Sequence, residues 1–374
     1  MPRRLHTITF SPTDIPGALT ALEEAISGAE SYLPLPASDT RRADLLVRHM
    51  RPGEEISAEV ALVMATSGST GVPKGAQLSP SNLVSSADAT HQFLGGAGQW
   101  VLALPPHHIA GVQVLVRSVV AGVDPVVVDV SRGFSVSAFA DAVFQAPAGE
   151  RLYTALVPMQ LVKAMDSLRG IDALRACDAV LVGGGALHPE VRSAAEQLGI
   201  RVVETYGSSE TSGGCVYDGR PIPGARVRLE GERIVLGGPM VALGYRNVPS
   251  QGVFVEPDWF VTSDAGVVRD GRLVVVGRMD AVIVTGGLKV HPEVVEAALV
   301  KIPGVRQACV VGVEDPRLGQ MVVAAYEGPA APQDVLAGLD EVERWMVPRR
   351  LLRVDALPTT GPGKVDRSKV SELF

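Results

Sequence analysis

Cysteine is scarce in this chain: 374 residues carry only Cys177, Cys215 and Cys309. Their spacing makes neither metal-ligand pairs nor a disulfide framework, which fits a reducing, cytoplasmic setting. Aromatic residues amount to 5%. No apolar run is long enough to span a bilayer unaided, because the most apolar stretch, 112–130, is broken by Arg117, Asp124, Pro125 and Asp129. No run of one charge occurs either; 34 basic residues stand against 41 acidic ones, a net charge of −7 spread along the chain. Without a basic stripe, nucleic acid is not expected as a main partner. The first residues hold two arginines but no apolar segment behind them, so no signal peptide is expected. Internal repeats and low-complexity tracts are also lacking.

Glycine and proline, by contrast, are plentiful, at 40 and 27 residues, and 46% of the chain is hydrophobic. That suffices for a large domain plus a smaller one. Residues 1–59 are proline-spotted, with only a short helix expected over 15–26. An apolar strand over 60–65 leads into a glycine-rich segment. Ser79-Pro80 then has the cap and first-turn pattern of a helix running toward Phe93. A strand over 100–104, a helix over 109–120 and a buried strand over 125–130 follow. Further strands are expected at 153–157, 179–182 and 202–205, separated by helix-length segments. This alternation predicts an α/β fold with largely parallel pairing. From Gly224 the glycine-punctuated strands at 227–229 and 233–236 suggest a small β subdomain. Beyond about residue 278 a helix over 291–301, strands at 307–313 and 322–327 and a helix toward Trp345 make a small α+β domain. The expected division is therefore 1–278 and 279–374.

The glycine-rich segment is Thr66-Ser67-Gly68-Ser69-Thr70-Gly71-Val72-Pro73-Lys74-Gly75-Ala76. Backbone amides exposed by glycine, four hydroxyls and one ammonium suit a polyphosphate. A Walker A loop is excluded, because Lys74 follows Pro73 and precedes Gly75. Tyr206-Gly207-Ser208-Ser209-Glu210-Thr211 directly follows a strand, at the end where α/β sheets bind ligands. Gly183-Gly184-Gly185 stands at another strand end.

These segments resemble, in order, the motifs of the adenylate-forming superfamily of acyl-CoA synthetases, peptide-synthetase adenylation domains and luciferases. Trp259-Phe260-Val261-Thr262-Ser263-Asp264-Ala265-Gly266, Gly277-Arg278-Met279-Asp280 and Pro358-Thr359-Thr360-Gly361-Pro362-Gly363-Lys364-Val365-Asp366-Arg367 continue the likeness. The resemblance implies that Thr66, Ser67, Gly68, Ser69, Thr70, Gly71 and Lys74 cradle the phosphates of ATP. It places Gly184, Gly185, Tyr206, Gly207, Ser209 and Thr211 around the adenine and AMP. It gives Glu210 a Mg²⁺ ion, with Thr70 beside the metal-bound phosphate, and gives Asp264 and Arg278 the ribose and α-phosphate region. Asp280 would be the hinge of a mobile lid, and Lys364 the catalytic ammonium at the α-phosphorus. Gly286, Gly287 and Lys289 would border the coenzyme A tunnel, although a simple bend also accounts for the two glycines. His108 would line the acyl site and gate the thiol, with Gly183 near the acyl group. The chain departs from the pattern at Ser209 (threonine expected) and at Asp258 and Ser263 (glycine expected).

Two local stretches, Leu104-Pro105-Pro106-His107-His108-Ile109-Ala110-Gly111 and 210–219, resemble the compact actinobacterial o-succinylbenzoate–CoA ligases of menaquinone biosynthesis. Expected substrates are an aromatic carboxylic acid, ATP and CoA, with a homodimer allowed. Arg117, within an apolar helix, needs an anionic partner: either the acid's second carboxylate or a structural ion pair. Other aryl- or fatty-acid CoA ligases, a carrier-charging adenylation enzyme and a non-catalytic nucleotide-binding regulator remain as alternatives.

Overall fold

The computed structural model describes residues 3–10, 14–66, 73–147, 149–340, 342–360 and 364–374. Contacts divide the chain into two compact units, 1–228 with 235–261, and 229–234 with 262–374. This partition differs from the expected 278/279 boundary because strand Trp259–Arg269 continues across it and its second half pairs with Arg272–Arg278. Compactness and hinge position are separate properties.

The first unit holds two large sheets. One runs in the order 244–245, 75–78, 62–65, 31–36, 3–10, 55–56. The other runs 220–221, 213–217, 202–208, 179–182, 152–156, 99–102, 126–127. Its strands 202–208, 179–182, 152–156, 99–102 and 126–127 pair in parallel, so their carboxyl ends share one edge. Buried Val101, Phe139, Leu156, Leu161, Val180 and Val182 form its main core. The expected α/β alternation is realised here, with helices Pro80–Leu94, Ile109–Ala121, Val136–Gln145 and Pro189–Gln197 between the strands. Ser79 caps the first of these by accepting from Asn82 N at 3.1 Å, while the Asn82 side chain accepts from Ser79 N at 2.8 Å.

Sequence reading left most of 1–59 without structure, yet it supplies strands Arg3–Phe10 and Ser31–Pro36 and helix Thr40–Met50. The prolines of Ser-Tyr-Leu-Pro-Leu-Pro hid the second strand. Pro34 and Pro36 are two residues apart, so both missing N–H groups fall on one flank, where pairing extends only to Tyr32 opposite Leu62. The buried strand expected over 125–130 shortens to Val126–Val127, because the Asp129 carboxylate accepts from Ser131 N and turns the chain.

The second unit carries a sheet in the order 288–290, 283–285, 319–327, 307–315, with 350–354 joined in parallel to 319–327. Val290, Val295, Leu299, Val310, Ala324 and Tyr326 are its core. The helix expected to run toward Trp345 ends at Ala337. Gly338 follows it, and Val342, Trp345 and Met346 reach the core from turns.

Candidate active site

The glycine-rich segment enters from strand Leu62–Ala65 and leaves by strand Gly75–Leu78, which pair antiparallel. Ser67, Gly68, Ser69, Thr70 and Gly71 lie outside the described residues. The neck is closed by Thr66 N donating to Lys74 O at 2.8 Å. The Lys74 ammonium sits 5.4 Å from the centre of the Tyr245 ring, within cation–π reach. The Tyr245 hydroxyl donates to Glu210 Oε1 at 2.7 Å, and burial together with that carboxylate pushes the phenol well above its usual range. Tyr245 therefore joins the expected phosphate lysine to the expected magnesium ligand.

The next two residues brace the same place. Asn247 accepts from Gly75 N at 3.0 Å and donates to Pro73 O at 2.9 Å, gripping the backbone on both sides of Lys74. Arg246 N donates to Gly75 O, and its guanidinium reaches Met50 O, Arg51 O and Glu55 O. Sequence reading passed over Tyr245, Arg246 and Asn247. Asn247 stands 172 residues from Gly75, so no local spacing signals the pairing.

Glu210 lies in the short helix Ser209–Thr211 and is buried. Among the described residues no group of three or more His, Cys, Asp or Glu gathers to hold a metal. A single carboxylate fixed by a tyrosine suits magnesium bound largely through substrate phosphates. Thr211 hydroxyl donates to Gly213 O at 2.8 Å and accepts from Ser208 N at 2.9 Å, so it holds the turn together.

Gly183-Gly184-Gly185 leaves strand Ala179–Val182, whose Val182 pairs with Glu204. Tyr206-Gly207, expected just after a strand, lies within strand Val202–Ser208, because pairing continues there antiparallel to 213–217. A Cβ at Gly207 would fall 2.1 Å from Gly213 O, so only glycine allows this approach of backbone to backbone. His108 starts helix Ile109–Ala121 in extended geometry without capping it through its side chain. Burial, with Arg42 nearby, lowers its pKa to about 4, so the imidazole is neutral near pH 7. His107 stacks on it at 4.3 Å between ring centres.

Arg117 is buried in the same helix. Its Nη2 donates to the Tyr217 hydroxyl at 3.3 Å, its guanidinium carbon lies 4.9 Å from the Trp100 ring centre, and its Nε has no partner. Among the described residues no carboxylate forms an ion pair with it, and burial lowers its pKa. Among the described residues, then, a structural ion pair, one of the two expected explanations, is not found.

The second unit presents its own set. Asp264 lies mid-strand opposite Arg278, not in a turn. Arg278 Nη1 is 3.5 Å from Asp264 Oδ1, and Arg278 forks onto Asp280 at 2.7 and 2.5 Å. Asp258, at a family glycine position, takes φ 60°, the left-handed backbone that a glycine would supply. Gly286 and Gly287, with φ 57° and 82°, form the two-residue turn of hairpin Ile283–Thr285/Leu288–Val290, so the bend expected as one explanation of the two glycines is a hairpin tip. Lys289 is exposed on its return strand. The Lys364 backbone pairs with Thr360. Three residues on, Arg367 ties this tail to helix Pro292–Val300 through Glu296 at 2.6 Å and Glu293 at 3.2 Å.

The AMP-binding enzyme family matches residues 17–246, and the AMP-binding enzyme C-terminal domain matches 294–364. The chain belongs to this family. This AMP-binding enzyme is an adenylate-forming ligase. It is 47% identical over 382 residues to the probable 2-succinylbenzoate–CoA ligase of Mycobacterium tuberculosis (strain H37Rv), covering 100% of this chain and 98% of that one. It is 30% identical over 345 residues to the 2-succinylbenzoate–CoA ligase of Bacillus velezensis, covering 84% and 69%. The fold matches ATP-bound MatB from Rhodopseudomonas palustris with a TM-score of 0.86 at 22% identity, over 100% of this chain and 89% of that one. It also matches the o-succinylbenzoate CoA synthetase MenE from Bacillus subtilis in complex with the acyl-adenylate intermediate OSB-AMP, with a TM-score of 0.76 at 23% identity over 97% and 82%.

Proposed function

We propose that this AMP-binding enzyme is a 2-succinylbenzoate–CoA ligase acting in the cytoplasm on ATP, CoA and a dicarboxylic aromatic acid. The observation that carries the choice of acid is Arg117, a buried guanidinium with no carboxylate partner among the described residues. A cation left unpaired in a core is costly, and a second carboxylate on the substrate supplies the missing charge. The 47% identity to a probable 2-succinylbenzoate–CoA ligase over the whole chain supports the same acid.

Two half-reactions follow. A carboxylate oxygen of the acid attacks the α-phosphorus of ATP, the bond to pyrophosphate breaks, and an acyl-adenylate forms. Thr66 to Lys74 hold the phosphates and Tyr206 and Gly183 to Gly185 border the adenine. Asp264 and Arg278 hold the ribose side, and Lys364 offsets the charge gathering at the α-phosphoryl oxygens. Magnesium, held by Glu210, would neutralise phosphate charge when bound. The lid then rotates about Asp280, withdrawing Lys364 and bringing the Gly286-Gly287 hairpin and Lys289 to the site. The CoA sulfur attacks the acyl carbon and AMP leaves, past a neutral His108.

The test is ATP- and CoA-dependent AMP production over a panel of acids. 2-Succinylbenzoate should exceed an otherwise identical acid lacking the ring carboxylate by about tenfold or more in kcat/KM, the worth of one charged hydrogen-bonded contact. Equal turnover of the two would overturn the assignment.

A further inference from the structure

Among the described residues, eight buried side-chain polar atoms have no hydrogen-bond partner, and four of the eight belong to Gln113, Arg117 and Ser208. Such groups in a native fold are rare and call for a ligand or water. Gln113 is the extreme member: it is 1% exposed, and both Oε1 and Nε2 are unpartnered. A core position that needed only volume would be filled at lower cost by leucine or methionine.

The three side chains share a neighbourhood. Gln113 and Arg117 are four residues apart on helix Ile109–Ala121, hence on adjoining turns about 6 Å apart. Ser208 pairs with Gly213 across two strands, and a Cβ at Gly213 would lie 3.3 Å from Gln113 Cγ. Gly213, with φ 96°, leaves room beside the carboxamide that a side chain would take.

We infer that Gln113, with Ser208, reads an uncharged carbonyl of the acyl group, the ketone of a succinylbenzoate, beside the charge held by Arg117. This assignment rests on the 2-succinylbenzoate reading above. A succinylbenzoate has three polar groups: two carboxylates and the ketone joining chain to ring. One carboxylate reacts and the other is matched to Arg117, so the ketone remains. A ketone only accepts hydrogen bonds, and a neutral amide donates without adding charge next to a guanidinium. Once Gln113 Nε2 donates to the ketone, Oε1 is left to accept from the Ser208 hydroxyl, and the orphaned groups of the two residues are satisfied together.

The experiment compares 2-succinylbenzoate with its analogue carrying CH₂ in place of the ketone, in wild type and in Gln113→Leu. It measures kcat/KM for each acid, KM for ATP, and Tm of the free enzyme. Wild type should prefer the keto acid by about tenfold or more, and Gln113→Leu should accept both within about twofold with KM for ATP unchanged. Free of ligand, Gln113→Leu should melt at or above the wild-type temperature, because it removes unpaired polar atoms; a structural role for the amide would lower Tm. Ser208→Ala, a smaller change, should reduce the keto preference in the same direction. An undiminished keto preference in both variants, or a wild type indifferent to the ketone, overturns the ketone assignment alone. Failure of wild type to use either acid overturns the 2-succinylbenzoate reading and the ketone assignment with it.

Discussion

The phosphate side and the acyl side of the first unit treat their polar groups in opposite ways. On the phosphate side, Glu210, Tyr245, Asn247 and the backbone about Lys74 are bonded to one another before any ligand arrives. On the proposed acyl side, Gln113, Arg117 and Ser208 carry buried atoms with no partner among the described residues. A nucleotide is common to every turnover, and rigid preorganised donors suit it. An acid must be told from similar acids, and a buried group that only the right acid can satisfy penalises every other.

The largest separation of nucleotide chemistry from acid recognition should come from Lys364. Replacing it with alanine should slow adenylate formation by about 10²–10³-fold for every acid tested. Thioester formation from supplied acyl-adenylate should stay near wild type, measured as AMP release on adding CoA. Equal loss in both steps would remove Lys364 from its role.

Arg117→Met should act on the opposite side. Losing a charged hydrogen bond should raise KM for the acid by about 10–100-fold, with KM for ATP unchanged. Because the guanidinium has no carboxylate partner among the described residues, Tm should not fall. An unchanged acid KM would mean that the side chain is structural, and the contrast between the two faces would fail.

Asn247→Leu should sharpen the contrast more gently. Two hydrogen bonds to the backbone around Lys74 vanish, each worth about 1 kcal/mol, so KM for ATP should rise about tenfold. Tm should drop by several degrees, and the step from supplied acyl-adenylate should be spared. A loss shared by both half-reactions would show general unfolding instead of a loosened phosphate grip.

The last effect concerns acid stability. Burial holds His91, His107 and His108 at about 4, 3 and 4, below the ordinary value near 6.5. The unfolded chain takes up these protons first, so this stabilisation is complete above pH 6.5 and is lost as pH falls toward 4. His91 accepts from the Trp100 indole N–H at 3.2 Å. His91→Gln keeps an acceptor there and should flatten the fall in unfolding free energy by about 1.4 kcal/mol per pH unit between pH 6 and 4. An unchanged slope in urea titrations would show that His91 protonates equally in both states.

Much of the site was legible because its residues are local: glycines, hydroxyls and acids placed directly at the ends of parallel strands, as with Gly183, Tyr206 and Glu210. What was not legible depended on distant partners or on local geometry overruling composition. Tyr245 and Asn247 act on residues 35 and 172 positions away. Pro34 and Pro36 concealed a strand that tolerates them on a sparsely paired flank. In sequence, Gly286 and Gly287 fit either a tunnel border or a simple bend, and only the φ angles and strand register make them a hairpin turn.

From residue order alone came the α/β alternation, the sequence of chemical motifs and the kinds of group offered to a nucleotide, since strand periodicity and loop chemistry are encoded within short windows. Tertiary structure decided which of those groups find partners inside the fold. Hydrogen-bond satisfaction is a property of packing across the chain, and it is there that Tyr245 and Asn247 become a brace while, among the described residues, atoms of Gln113 and Arg117 are left without a partner.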